Sequence, residues 1–130
     1  RPGLHFNVSH SGGVLLCGAG DAPLGVDIEG IRPRRAGLAR YVLDAWEFQW
    51  YQDRGSRWED LYALWTLKEA RCKCTGEGLR VPPRTIAVPA LEPGEAGDLD
   101  GLHFRVYGGG GWRAAACSAG ETPPPCIHEK

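Results

Sequence analysis

Apolar and polar residues alternate over short stretches in the first thirty positions of the chain. Residues 4–8 alternate apolar and polar side chains, and an apolar run follows at 14–17, so both stretches favour β-strands. Ser, His and Gly residues at 9–13 separate them, which predicts a tight turn. A third strand is predicted at 24–29, where β-branched apolar residues interleave with acidic ones.

Helical spacing of the apolar residues replaces this alternation in the middle of the chain. The spacing is partial over 36–53 and stronger in the segment that follows Ser56, so we expect two helices. Ser56 is the predicted N-cap of the second helix, and Glu59, three residues later, is its capping-box partner. Gly76 and Gly78 are expected to end that helix.

The last third of the chain returns to strand-like patterns. Three further strands are predicted at 85–88, 102–107 and 112–118, the last two joined as a hairpin through the glycines at 108–111. The segment 92–101, rich in Glu, Gly, Asp and Pro, is the longest predicted surface loop.

These elements predict an α+β fold in which two helices pack against a small, mainly antiparallel sheet. At 130 residues the chain has the size of one ordinary domain. We assign residues 1–120 to that domain and 121–130 to a Pro-rich tail, which is expected to be extended or mobile.

Composition and charge narrow the class of protein. The formal charge of −1 gives no reason to expect binding to nucleic acid or to an anionic membrane surface. No apolar run reaches the length of a membrane span or a secretory signal, so a cytoplasmic protein is expected. The five cysteines lack the C-x-x-C spacing of a zinc site and are predicted to be reduced thiols.

Two carboxylates on the third predicted strand form the first candidate site. Asp27 and Glu29 are two residues apart, so their side chains should project from the same face of the strand. Adjacent carboxylates of this kind suit Mg²⁺, which takes one or two protein carboxylates together with water and phosphate oxygens. The alternative is a solvated edge strand with no ligand.

Glu69 and Lys73 form a second candidate pair, four residues apart on the stronger helix, and Lys68 lies beside them. They could bring a carboxylate and an ammonium group to one site, or they could be an ordinary surface ion pair. At the predicted turn, the hydroxyl of Ser9 and the imidazole of His10 could contact a phosphate, or they could be structural. Nothing identifies the base and oxyanion hole of a serine hydrolase.

Read in order, these pieces form a recognisable string. It consists of Phe-Asn-Val-Ser-His-Ser-Gly at 6–12, Gly-Val-Asp-Ile-Glu at 25–29, Trp-Thr-Leu-Lys-Glu-Ala at 65–70, Lys73, and Gly-Glu-Gly-Leu at 76–79. The string resembles the 4'-phosphopantetheinyl transferase superfamily, in particular its surfactin-synthetase-activating class. The resemblance covers about residues 4 to 79 and continues more loosely through the final strands.

The resemblance implies an enzyme that transfers the 4'-phosphopantetheine arm of coenzyme A to a serine of an acyl or peptidyl carrier protein. Such enzymes serve fatty acid, polyketide or nonribosomal peptide biosynthesis. By this likeness Asp27, Glu29 and Glu69 would be ligands of Mg²⁺. Glu69 would also be the base that activates the serine, and Lys73 would stabilise the phosphate oxygens during transfer.

The resemblance also implies a coenzyme-binding set, made up of Ser9, His10, Lys68 and Lys73. The segment 76–88 resembles the region that helps to receive the carrier protein.

The chain departs from the family pattern at its front. In the surfactin-type class the Ser-His-Ser motif lies near the middle of a chain built from two similar halves, so this sequence resembles the second, metal-binding half. It could be a fragment, a short member that completes its site by forming a homodimer, or a remnant without activity. A noncatalytic module that binds carrier protein or coenzyme A, and a different metal-assisted phosphoryl-transfer or hydrolytic enzyme, are the competing functions.

Overall fold

The chain opens with a β-hairpin. In the computed structural model, which describes residues 3–78 and 81–128, strand β1 (His5–Ser11) pairs antiparallel with β2 (Val14–Gly20). The predicted turn at 9–13 is therefore wrong in its first three residues, which belong to β1. Gly12 and Gly13 alone make the reversal, at positive φ angles of 54° and 84°, because a two-residue hairpin turn favours residues that tolerate the left-handed region.

Four further strands form one antiparallel sheet. They are β3 (Leu24–Gly30), β4 (Ala96–Leu99), β5 (Leu102–Gly109) and β6 (Trp112–Ser118), arranged in the order β3-β6-β5-β4. The β5–β6 hairpin turns at Gly110 and Gly111, whereas Gly108 and Gly109, also predicted for the connection, belong to β5.

Two predictions in this region are wrong. The strand expected at 85–88 does not form: Thr85 belongs to the 3-10 turn Pro83–Thr85, and residues 86–88 are irregular. The loop expected at 92–101 contains β4, which pairs with β5 after a reversal at Asp100 and Gly101, both at positive φ.

In the described residues, three α-helices replace the two expected. They are α1 (Leu38–Val42), α2 (Ala45–Asp53) and α3 (Trp58–Thr75). The first predicted helix is divided because Asp44 caps α2, accepting the Glu47 N–H while the Glu47 carboxylate accepts the Asp44 N–H, each at 2.8 Å. Ser56 is not the cap of α3. It lies at φ 54°, and Arg57 takes the N-cap position.

Helix α3 packs across one face of the sheet and contributes more residues than any other element to the larger core cluster. Its apolar residues meet those of β5 and β6 in one cluster, which includes Leu61, Leu64, Leu67, Ala70, Phe104, Val106, Ala115 and Cys117. The helix ends at Gly76 in a left-handed conformation, as predicted. The α+β fold with a small antiparallel sheet against helices is confirmed.

The opposite face of the sheet is covered by the β1–β2 hairpin and by part of the tail. Leu16 of β2 packs there against Val26, Ile28, Tyr107 and Ala114. The tail is held more firmly than expected. Its Pro123 carbonyl accepts from Arg105 Nε at 2.9 Å, and its Pro124 carbonyl accepts from the Tyr107 hydroxyl at 2.7 Å.

Two expectations concern the whole chain. All five cysteines are free thiols, in line with the prediction. None of the helices in the described part of the chain combines the length and hydropathy that a membrane crossing requires.

Candidate active site

A glycine allows strand β3 and helix α3 to lie in direct contact. A Cβ atom placed on Gly25 would overlap the Ala70 carbonyl oxygen and lie 2.6 Å from the Cys74 backbone nitrogen. Asp27 and Glu29 follow Gly25 at the period of a strand, so they share its face. The close contact therefore brings both carboxylates towards Glu69 and Lys73 of α3.

Asp27 lies at the centre of this group and is only 4% exposed. Its Oδ1 atom accepts a hydrogen bond from the Ser9 hydroxyl at 3.2 Å and lies 3.7 Å from Lys73 Nζ. The Lys73 ammonium also donates to the Val26 carbonyl at 3.0 Å. Asp27 Oδ2 is buried and has no hydrogen-bond partner, which is costly for a carboxylate oxygen.

Negative charge is in excess here. Burial, and then the charge of Glu29, raise the pKa of Asp27 to about 8, with Glu69 adding to the effect and Lys73 opposing it. Burial and Glu29 likewise raise the pKa of Glu69. Three carboxylates therefore face one ammonium group, and an additional cation would relieve the repulsion.

The residues fit a magnesium ion through the chemistry of their donors. Within residues 3–78 and 81–128, no three or more His, Cys, Asp or Glu side chains are close enough to hold a metal as they stand. Mg²⁺ does not require such a cage, because it commonly takes one or two carboxylates and completes its shell with water and phosphate oxygens. The unpartnered Asp27 Oδ2 and the neighbouring Glu29 and Glu69 supply donors of that kind.

Strand β1 contributes to the site through a row of polar side chains that the sequence analysis missed. Asn7 Oδ1 accepts the Val26 N–H at 2.9 Å, Ser9 Oγ accepts the Ile28 N–H at 3.0 Å, and Ser11 Oγ accepts the Gly30 N–H at 3.1 Å. The signal was present in the sequence, since short polar residues recur there at every second position, as on one face of a strand.

Comparison with known proteins decides the family. The sequence model of the 4'-phosphopantetheinyl transferase superfamily matches residues 23–99, a range that contains both β3 and α3. The chain belongs to this superfamily. Its relatives place it with the surfactin-synthetase-activating type, as the resemblance predicted.

Three relatives illustrate the similarity to 4'-phosphopantetheinyl transferases. Sfp of Bacillus subtilis (strain 168) is 29% identical over 126 residues, covering 91% of this chain and 56% of Sfp. Psf-1 of Bacillus pumilus is 35% identical over 97 residues, covering 73% of this chain and 42% of psf-1. Ffp of Bacillus subtilis is 36% identical over 98 residues, covering 72% of this chain and 42% of ffp. The chain spans about half the length of the curated relatives it matches.

For a member of this superfamily, the position of Lys68 is unexpected. It precedes Glu69 in the chain, yet it is 1% exposed and turned away from the carboxylates. Its Nζ lies 2.8 Å from Glu47 Oε1 and donates to the Pro83 and Ile86 carbonyls at 2.9 and 2.7 Å. All three ammonium protons are therefore used inside the protein, so this position does not support the coenzyme role predicted for Lys68.

The side chains of Ser9 and His10, the Ser-His pair of the motif, lie on opposite faces of β1. Ser9 is buried and its hydroxyl is engaged with β3, whereas the side chain of His10 is exposed on the opposite face of β1. The structure brings Ser9 to Asp27 and leaves His10 at the surface. The last residue of the Gly-Glu-Gly-Leu segment, Leu79, lies outside the described residues.

Proposed function

We propose that this chain is the metal-binding half of a 4'-phosphopantetheinyl transferase. The proposed reaction is the Mg²⁺-dependent transfer of the phosphopantetheine arm from coenzyme A to a serine of an acyl or peptidyl carrier protein in the cytoplasm. The observation that carries the proposal is the buried Asp27 carboxylate, with one oxygen unpartnered, beside Glu29, Glu69 and a single lysine.

In the proposed reaction, Asp27, Glu29 and Glu69 would hold the magnesium ion together with the coenzyme pyrophosphate. When bound, the ion polarises the phosphorus under attack and neutralises the charge that develops on the leaving phosphate. Lys73, whose side chain is partly exposed, donates from its ammonium group to the same phosphate oxygens.

Glu69 is the proposed base. It takes the proton of the carrier serine hydroxyl as the serine oxygen bonds to the phosphorus nearer the pantetheine, and the bond from that phosphorus to the bridging oxygen breaks. The electron pair leaves with 3',5'-adenosine bisphosphate.

Contacts to the coenzyme phosphates are assigned to His10 and Lys73. The exposed His10 imidazole is available to a ligand, whereas the Ser9 hydroxyl and the Lys68 ammonium are engaged within the protein. His10 shares its side of the hairpin with exposed apolar residues, since Phe6 is 74%, Leu15 64% and Val8 45% exposed. We name these three apolar residues the hairpin face.

The hairpin face supports the proposal of a missing first half. Contiguous exposed apolar residues mark surfaces that another protein segment covers, and a covering half would also enclose His10. Light scattering tests this point: addition of a first half from a related transferase should give a one-to-one complex, and the Phe6→Ser variant should weaken it. A homodimer of this chain, or a chain that stays monomeric in the presence of the first half, would contradict the assignment.

A transfer assay tests the function. The chain is mixed with coenzyme A, Mg²⁺ and a generic apo carrier protein, with and without a first half, and the mass gain of the carrier is measured. We expect Mg²⁺-dependent modification that Asp27→Ala abolishes and that Asp53→Asn, which alters an exposed carboxylate on α2, leaves intact. No gain under either condition, or an unchanged rate in Asp27→Ala, would overturn the proposal.

A second candidate function is a noncatalytic module that binds coenzyme A or carrier protein. It is favoured by the observation that no three possible ligands in the described residues are close enough to hold a metal as they stand. One experiment distinguishes the two candidates. Calorimetric binding of coenzyme A to the wild-type chain, together with no modification of the carrier even in the presence of the first half, would favour the binding module.

A further inference from the structure

Strand β1 lies against the outer edge of β3 without joining its sheet. The two strands belong to separate sheets, and Asn7, Ser9 and Ser11 each reach a β3 residue 19 positions later in the chain. The constant separation means that the strands run in the same direction. Side-chain oxygens therefore satisfy the edge N–H groups that a neighbouring strand would otherwise accept.

Ser9 makes one more hydrogen bond than Asn7 and Ser11, the other two residues of this row. Its hydroxyl oxygen accepts the Ile28 N–H at 3.0 Å, and its hydroxyl proton is donated to Asp27 Oδ1 at 3.2 Å. Ser11 makes the matching bond to the Gly30 N–H at 3.1 Å. Ser9 is thus tied both to the backbone of β3 and to the side chain of Asp27.

These two hydrogen bonds of Ser9 make the two oxygens of Asp27 unequal. Oδ1 is occupied by Ser9 and lies near Lys73, whereas the buried Oδ2 has no partner. A carboxylate fixed through one oxygen presents the other in a defined direction, which is how residues around a metal site orient its ligands.

We propose that Ser9 is a positioning residue that orients Asp27 so that Oδ2 is the oxygen presented to the metal ion. The inference rests on the proposed magnesium function and goes beyond it, because it gives Ser9 a role inside the protein instead of at the coenzyme phosphates. Ser9 acts through Asp27 and does not touch the substrate.

The test measures the affinity for Mn²⁺, which prefers the same oxygen ligands as Mg²⁺ and is detected by electron paramagnetic resonance. We expect Ser9→Ala to bind Mn²⁺ about 10- to 100-fold more weakly than the wild-type chain, the usual cost of removing a residue that supports a ligand. Ser9→Thr, which keeps the hydroxyl, should recover most of the affinity. Ser11→Ala removes the equivalent bond to β3 without contacting Asp27, and its affinity should stay within about threefold of wild type.

Several outcomes would overturn the inference. Equal affinities in Ser9→Ala and Ser11→Ala, with Mn²⁺ still bound, would reject the role of Ser9 and leave the magnesium function intact. A wild-type chain that binds no Mn²⁺ even in the presence of coenzyme A would reject both. If circular dichroism shows that Ser9→Ala is unfolded, Ser9→Cys decides the question, because the thiol fills the same space but is a weak hydrogen-bond donor. Wild-type affinity in Ser9→Cys would then reject the inference.

Discussion

Lys68 and Glu69 are neighbours on α3, but their side chains enter charged clusters that are completed to different degrees. The Lys68–Glu47 pair is enclosed, and each ammonium proton has an acceptor within 2.9 Å. The carboxylate cluster, which comprises Asp27, Glu29, Glu69 and Lys73, has excess negative charge and a buried oxygen without a partner. The first cluster is neutralised within the fold, whereas the second retains uncompensated negative charge, a feature that is frequent at functional sites.

The largest effect on stability is expected from removing one partner of the Lys68–Glu47 pair. Lys68→Met would leave Glu47 buried without its cation, and breaking a buried pair on one side costs about 3–5 kcal/mol of unfolding free energy. Denaturant unfolding measures the loss. The double variant with Glu47→Gln, which keeps an acceptor for the Asp44 N–H, should recover much of the stability, because it removes the unpaired charge. A loss below about 1 kcal/mol in Lys68→Met would show that the pair does not hold the helices and the 83–86 segment together.

A somewhat smaller loss of stability is expected from a substitution at Gly25, where β3 contacts α3. In Gly25→Ala the new methyl group would overlap the Ala70 carbonyl, so the helix must shift away from β3 at a cost of about 2–3 kcal/mol. Gly110→Ala is the matched control, because its Cβ would meet no atom within 4 Å. Thermal unfolding compares the two variants. Equal melting temperatures would contradict the argument that the absence of a side chain at Gly25 lets the carboxylates approach α3.

Local rules of the sequence anticipated part of this arrangement. The period of a strand placed Asp27 and Glu29 on one face, and the family resemblance implied that Glu69 and Lys73 share their site. The capping rule was sound in kind but was applied at Ser56, whereas the pattern Asp44-Ala-Trp-Glu47 also satisfies it. The fold class followed from the same short-range patterns.

What the sequence could not supply were contacts between distant residues. Two acceptors of Lys68 lie 15 and 18 positions further along the chain, and the third is Glu47 of α2, so nothing near Lys68 in the sequence indicates that its charge is buried. Ser9 and Ser11 were assigned to a turn because serine is frequent in turns. They continue a strand instead, since they pair with Leu16 and Val14 of β2. Their hydroxyls also bond to β3, which begins 13 residues beyond Ser11.

A gain in stability is expected from removing charge in the carboxylate cluster. The pKa of Asp27 is raised by burial and Glu29 to about 8, with Glu69 adding and Lys73 and Ser9 opposing. Below the ordinary pKa, near 4, Asp27 is neutral in both the folded and the unfolded chain. As the pH rises towards 8, the unfolded chain releases this proton while the folded chain retains it, so the wild-type protein loses stability.

Asp27→Asn does not carry this proton, so it should become more stable than wild type as the pH rises from 4 to 8. We expect a difference of about 2 kcal/mol at pH 8 in the absence of metal, well below the full value of the shift because neighbouring groups titrate with Asp27. Asp53→Asn, at an exposed carboxylate, should show no such trend. Denaturant unfolding across this pH range measures both, and an Asp27→Asn variant less stable than wild type at pH 8 would contradict the excess of negative charge.

The smallest effect on stability is expected from replacing Lys73, the lysine of the carboxylate cluster. This variant tests the comparison of the two clusters most directly. Lys73 lies five residues after Lys68 on the same helix, but its side chain is 32% exposed and its ammonium is 3.7 Å from Asp27. Lys73→Met should therefore cost less than about 1 kcal/mol of unfolding free energy, as for other partly solvated pairs. Because Lys73 lowers the pKa of Asp27, the variant should also keep that carboxyl protonated to higher pH, which NMR titration of the carboxyl carbon can follow. If Lys73→Met is instead as destabilising as Lys68→Met, both lysines stabilise the fold. The contrast between the Lys68–Glu47 pair and the carboxylate cluster would then be rejected.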